Sequence, residues 1–344
     1  MGEQNHIDSE QKLQMLDRVM EQNKKRFGQR LIETREIFDQ DIIIGDIHTH
    51  SIHSDGRCTV DELKAYADMA ALDFFFVTDH NSIQQADDCA KYQTVWAGQE
   101  PGCADHHIGL LSPSSLFVPD KTNFIDDWRM ARNISEFTWI PHPTGWTPTT
   151  YYTQQQMNEL FKIDEHFAME VLNGVFKFTD VFDQWQVNSI ALWDQLLCAN
   201  KHVTALAGSD AHFAAGIGCA WTGLFQEECS KNTVLHSLNA GKTIASEAPM
   251  LKLSINNKIS GEEVIISEDD PMEITMTAAD SLGLAAVNLI EDGRIKNRIT
   301  CEGKTKFELR IRDKYTCQKY CRLECISVDY KHAFTTPVYF KTPR

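Results

Sequence analysis

The sequence predicts an α/β unit built on a parallel, barrel-forming sheet and followed by a C-terminal antiparallel β-sandwich. Three observations lead there. A helical apolar period occupies the chain before residue 42, short apolar runs alternate with polar helix-like stretches from 42 to 247, and period-two alternation takes over afterwards. The expected organisation is an N-terminal amphipathic helical segment at 1–41, the α/β unit at 42–247 and the sandwich at 248–344.

Residues 9–38 place Leu13, Leu16, Met20, Phe27 and Leu31 at three-, four- and seven-residue intervals among charges. Such a stripe lies on a core or against a second subunit, so a homo-oligomer through this helix is one expectation. Seven apolar runs follow, starting at Ile42, Phe74, Val95, His107, Trp139, Ala168 and Val203, and they repeatedly end in His, Asp or Glu. Near-continuous apolar strands with helices between them indicate a sheet covered on both faces. Thr59-Val-Asp-Glu62 has the spacing of a capping box and should start a helix. Beyond Glu247-Ala-Pro-Met250, the alternating stretches Leu251–Ile255, Met272–Met276 and Phe307–Ile311 read as half-buried strands, and Asp292-Gly293 as a hairpin turn.

Composition limits the partners. The 344 residues carry a net charge of −16, with 18 basic and 35 acidic residues in 1–247 against 15 and 14 in 248–344. A duplex-binding protein would need clustered Lys and Arg, so no nucleic acid duplex is expected, and bound cations could offset the anionic excess of the first part. No run reaches the roughly 18 apolar residues of a membrane span, and Met1-Gly-Glu-Gln-Asn-His leads into polar text, which reads as a soluble, cytoplasmic protein with no membrane partner. Ten cysteines include no Cys-x-x-Cys pair and read as reduced core thiols.

The chemistry gathers at the ends of the apolar runs. In Asp46-Ile-His48-Thr-His50, positions two apart on a strand share a face, so two imidazoles can meet one metal ion. A single histidine would ordinarily be a hydrogen-bonded loop residue. The pattern recurs, however, as Asp210-Ala-His212, while His80, Glu100 and His142 close three further runs. Strand carboxyl ends form the active face of parallel barrels. Nine potential ligands, six of them imidazoles, imply more than one ion, and a hydroxide between two ions is a strong nucleophile at neutral pH. Imidazole and carboxylate together suit zinc, manganese or iron without choosing among them.

The motifs His48-Thr-His50-Ser with Ser54-Asp55-Gly56, Thr78-Asp-His80, Gly98-Gln-Glu100, His107-Ile-Gly-Leu, Pro141-His142-Pro143 and Gly208-Ser-Asp210-Ala-His212 resemble, in order, those of the PHP (polymerase and histidinol phosphatase) superfamily. Glu170-Val-Leu-Asn-Gly174 and the trailing Thr336-Pro-Val-Tyr-Phe340 resemble its carbaryl hydrolase (CehA/McbA) branch. The resemblance implies a distorted (β/α)7 barrel and a trinuclear divalent-metal site. In it, His48, His50, Glu100 and Asp210 would hold the first ion, Glu100 would bridge to a second held by His107 and His142, and Asp55, His80 and His212 would hold the third. His107 is taken over its neighbour His106 because the Ile-Gly-Leu-Leu run follows it directly, and His53, inside the first motif, matches no family ligand.

Three cations and their oxygen ligands favour a transition state that concentrates charge on oxygens, so the expected activity is hydrolysis of a phosphoester of a small metabolite. Arg57, beside Asp55, is the candidate phosphate clamp, against the reading of a solvated arginine ahead of a helix. The branch resemblance implies an alternative, cleavage of a carboxylic ester, carbamate or amide by the same cluster. A third reading is a binding module with structural ions. Gly241-Lys-Thr243 lacks the first glycine of a P-loop, since position 236 is His, and Asn133-Ile-Ser135 is a chance glycosylation triplet. Trp139, Trp146, Trp193 and Trp221 read as core aromatics rather than pocket walls.

Overall fold

The structure, a computed structural model, describes residues 9–103, 106–119, 123–145, 152–174 and 184–343. Trp146 and the opening Met1–His6 lie outside them. The chain begins with α1 (Ser9–Phe38), β1 (Ile43–Asp46), α2 (Val60–Met69), β2 (Phe74–Val77), α3 (Ala86–Cys89), β3 (Val95–Gln99) and β4 (Gly109–Leu111). It continues through α4 (Phe124–Ile134), β5 (Phe137–Ile140), α5 (Gln154–Ile163), β6 (His166–Asn173), α6 (Gln184–Cys198) and β7 (His202–Gly208). Next come β8 (Trp221–Leu224), α7 (Lys231–Asn239) and β9 (Thr243–Ser246). The remainder is all strand: β10 (Met250–Ile255), β11 (Lys258–Ile259), β12 (Glu263–Ile265), β13 (Pro271–Ala279) and β14 (Leu284–Glu291). It ends with β15 (Arg294–Thr300), β16 (Lys306–Lys314), β17 (Tyr320–Ser327), β18 (His332–Thr335) and β19 (Val338–Lys341).

All seven apolar runs are strands, and β1 to β7 lie side by side in chain order. Every residue of β1, β2, β4 and β5 is buried, as strands covered on both faces require. The expectation of a wholly parallel sheet needs correction, because β4 runs antiparallel to both β3 and β5. Only residues 100–108 join β3 to β4, too few for the crossover of a dozen or more that parallel neighbours need. Two strands that the sequence reading passed over, β8 and β9, extend the sheet antiparallel from β1.

At the site end, β1 and β7 are stitched together directly: Asp210 N donates to His48 O at 2.8 Å and His50 N to Ala211 O at 2.9 Å. Lower down, on the edge of β7 away from its parallel partner β6, threonine hydroxyls take the place of a backbone ladder. Ala205 N donates to Thr336 Oγ1 and Ala207 N to Thr222 Oγ1, while Thr243 Oγ1 and Thr222 Oγ1 donate back to the carbonyls of Ala205 and Ala207. These bonds satisfy backbone groups that would otherwise be buried unpaired.

In the C-terminal part, β11-β10-β13-β16 form one sheet, and β12-β19-β17-β18, with β14 and β15, another. The alternating residues Leu251, Leu253, Met272, Ile274 and Met276 meet Val287, Leu289, Leu323 and Val338 in one apolar cluster. Asp292 and Gly293 both have positive φ, 46° and 74°, as the predicted hairpin demands. Hydrogen bonding runs on from the first part into the second through the antiparallel β9–β18 pair.

Helix α1 lies across both parts. Leu31 and Phe38 enter the C-terminal cluster, and Arg30 forks onto Asp280 and Asp329 at 2.6 and 2.7 Å. Leu16, expected on the packed face, is 54% exposed because α1 has run past the core there, and the Leu13 side chain is not among those described. Thr59 forms the complete capping box with Glu62. All ten cysteines are free, and Trp139, Trp193 and Trp221 are fully buried. No described helix is long and apolar enough to cross a membrane.

Candidate metal centre

The first group forms where β1 and β7 are stitched together. His48 Nε2 lies 3.1 Å from His50 Nε2, 3.0 Å from Glu100 Oε2 and 3.4 Å from Asp210 Oδ1, and His50 Nε2 lies 3.0 Å from Asp210 Oδ1. All four side chains are buried. Ligands about 2.1 Å from a tetrahedral ion stand about 3.4 Å apart, so this is the spacing of donors around one cation. The strand period supplies His48 and His50 from one edge, while Asp210 reaches in from a left-handed backbone with φ of 52°.

Glu100, at the end of β3, faces two ways. Its Oε2 belongs to the first group, and its Oε1 lies 2.9 Å from His142 Nε2 and 3.1 Å from His107 Nδ1. A further group combines His50, Asp55, His80 and His212, with His212 Nε2 3.2 Å and His80 Nε2 3.7 Å from Asp55 Oδ2. The structure therefore brings all nine sequence-predicted ligands together. His80 also faces Glu100 and His107, and His50 stands between two groups.

Hydrogen bonds fix which imidazole nitrogens face inward. His48 Nδ1 pairs with Glu170 Oε1 at 2.7 Å, His80 Nδ1 with Glu100 O at 3.1 Å and His212 Nδ1 with Asp210 O at 2.9 Å. Since these oxygens accept, each Nδ1 carries a proton and each Nε2 turns its lone pair to the cluster. By this logic His80 serves the Asp55 group. His50 turns Nε2 to the first group, so its buried Nδ1, which makes no hydrogen bond and stands 3.8 Å from Asp55 Oδ1, carries the proton, and the inward nitrogens with Glu100 and Asp210 form a set of lone-pair donors at ligand spacing. The residues thus fit divalent cations.

Burial works against charge here, and the partners overrule it. It would raise the carboxyls of Glu100 and Asp210, but His48 acts on both, joined by His80 and His107 at Glu100 and by His50 at Asp210, and both stay below the usual carboxylate range. Burial would likewise lower His50, but Asp210 and Glu100 raise it to about 9. The cluster attracts positive charge, as protons or as metal ions.

Three carboxylates absent from the sequence-based ligand set hold this frame. Glu170 binds His48, accepts from Trp139 Nε1 at 3.1 Å and takes the main-chain N–H of His142 at 2.8 Å. Asp46 ties β1 to β7 by accepting from the N–H groups of His48, Ser209 and Gly218, and burial pushes its carboxyl up to about 6. Asp79 accepts from Ser51 and Ser54 and shapes the loop that carries Asp55. The available signal was proximity: Asp46 and Asp79 stand two and one positions ahead of predicted ligands.

The two excluded histidines lie elsewhere, His53 on Asp88 at 2.9 Å and His106 on Asp127 at 2.8 Å. Arg57 is exposed, and its main-chain N–H donates to His212 O at 2.7 Å, which anchors it beside the Asp55 group.

Residues 197–243, which contain Asp210 and His212, match the family model described as PHP-associated. No curated protein matches the sequence. Among solved structures, a two-domain protein of Bacteroides vulgatus, described as containing a predicted PHP-like metal-dependent phosphoesterase, is 19% identical with a TM-score of 0.50, covering 86% of this chain and 95% of that one. PsfC from Pseudomonas syringae is 17% identical with a TM-score of 0.41, covering 58% of this chain and 88% of its own. At that identity, the Bacteroides vulgatus likeness is one of fold.

Proposed function

We propose that this chain is a metal-dependent hydrolase of the PHP superfamily, in its carbaryl hydrolase-like branch, that cleaves a phosphoester of a small metabolite at three divalent ions. In this reading β1 to β7 form a distorted (β/α)7 barrel over 42–247, with a separate sandwich domain at 248–344. The observation that carries it is Glu100, whose two carboxylate oxygens face two different sets of imidazoles. That is the arrangement of a carboxylate shared between ions.

His48, His50, Glu100 and Asp210 would hold the first ion, Glu100, His107 and His142 the second, and Asp55, His80 and His212 the third. Bound divalent cations supply Lewis acidity toward phosphoryl oxygens and activate water as a nucleophile. Glu170, Asp46 and Asp79 keep the ligands in place, so that little reorganisation accompanies the reaction. Arg57, exposed and two residues from Asp55, is in this reading the residue that would fork onto phosphate oxygens.

Protein loaded separately with zinc, manganese and iron, offered a panel of phosphomonoesters, should release inorganic phosphate. Asp210→Ala should lower kcat/KM by about a thousandfold or more, because a buried ligand is lost. Turnover of aryl carboxylic esters with no phosphate release would replace this reading with the carboxylic ester alternative.

A further inference from the structure

Strand β16 pairs with β13 from end to end and with no other described strand, so Lys306–Lys314 closes the four-stranded sheet as a free edge. Its residues alternate. Phe307, Leu309 and Ile311 pack inward against the sandwich cluster yet stay half-exposed, because no further strand covers them. Lys306, Glu308, Arg310, Arg312 and Lys314 are exposed on the other face. A free edge is a template for another strand, and proteins commonly guard one with charge. The edge of the second sheet, β15, is guarded in this way: Arg294, Lys296 and Arg298 share a face with no acidic residue among them, so pairing with its own copy would set cation against cation. β16 differs, since Glu308 stands between Lys306 and Arg310.

We propose that β16 is the interface with a second copy of this chain, paired antiparallel to its own counterpart and centred on Leu309. The inner face must meet the inner face, which leaves only registers two residues apart in pairing. Centred on Leu309, Phe307 stands opposite Ile311 and Leu309 opposite itself, while Glu308 meets Arg310 twice across the two-fold axis. Centred on Arg310, that guanidinium would face itself and Phe307 would face Asp313. Centred on Glu308, two carboxylates would meet and Lys306 would face Arg310. The favoured register does set Lys306 against Arg312, but Arg312 already leans on Glu273 of β13 at 3.7 Å. Within one chain, Glu308 and Arg310 stand 3.7 Å apart with side chains 50% and 73% exposed, an arrangement that contributes little in open water. The pairing joins two four-stranded sheets into one, satisfies the outward main-chain groups of β16 and brings the half-exposed apolar residues of both copies together.

The test is sedimentation equilibrium of the full-length protein, which should show twice the chain mass. Arg310→Glu turns both central attractions into repulsions and should raise the dimer Kd by about tenfold or more, and combining it with Glu308→Arg should restore the Kd to within about threefold of the wild type. Rescue by the exchanged pair separates a lost interface from a misfolded strand. The register is read by disulfide trapping in a Cys317→Ser background, which removes the exposed native thiol. Leu309→Cys should cross-link two copies on mild oxidation, because directly opposed Cα atoms lie about 4.5–5.5 Å apart, whereas Ile311→Cys, which faces Phe307, should not. A wild-type protein that stays monomeric at its highest soluble concentration would leave this edge to a different chain and overturn the proposal. So would a dimer that Arg310→Glu leaves intact and Leu309→Cys does not trap, which would put the contact on another surface such as α1.

Discussion

Glu170 touches His48, Trp139 and the main chain of His142, so one carboxylate sets the tautomer of one candidate ligand and the backbone of another. Glu170→Gln keeps the shape but loses the charge that holds the His48 proton. It should weaken metal affinity by about 10–100-fold in a chelator competition assay, with little change in melting temperature of the metal-free protein. Gly208→Ala acts on the same contact by another route, since an added Cβ would meet His48 Cβ at 2.6 Å and Glu170 Oε1 at 2.9 Å. It should lower both metal affinity and thermal stability. The nine candidate ligands were legible because each sits at or near the end of an apolar run or in a motif beside one. Glu170 lies inside a buried strand, and its partners are 28, 31 and 122 residues away, a separation that no local pattern encodes.

At the scale of elements, legibility followed local chemistry. The capping box of α2 needed only Thr59 and Glu62, and Thr59→Ala should cost about 1 kcal/mol in denaturant unfolding. The direction of β4 was missed because apolar content reports burial and says nothing about orientation. Short strands β8 and β9 were missed because they carry no chemistry and little pattern, although their threonines complete the hydrogen bonding of β7. The position of α1 depends on pairs that the stripe of apolar residues does not contain. Arg30 is 8% exposed and shared by Asp280 and Asp329, so Asp280→Ala leaves the buried guanidinium to Asp329 alone, with donors unsatisfied, and should destabilise the protein by about 1–3 kcal/mol, read as a lower denaturant midpoint.

Across the molecule, the anionic excess of residues 1–247 finds a physical reason, because Asp46, Asp79, Glu100, Glu170 and Asp210 are all buried around the site. Cations that neutralise this group bind the folded chain and not the unfolded one. Chelation should therefore lower the melting temperature, and added metal should raise it in proportion to the logarithm of its concentration. The sign with pH follows from ligation: imidazoles such as His50, raised to about 9, must release protons to bind metal. Metal affinity should climb between pH 6 and 8, by about tenfold per pH unit for each proton displaced, and fall as the solution is acidified. The most direct measurement is anomalous diffraction at the metal absorption edge from crystals grown with zinc or manganese. The account predicts peaks about 2.0–2.3 Å from the inward nitrogens of His48, His50 and His142 and from the oxygens of Glu100 and Asp210. A map with no peak between these side chains, at metal concentrations that saturate other zinc or manganese proteins, would contradict it.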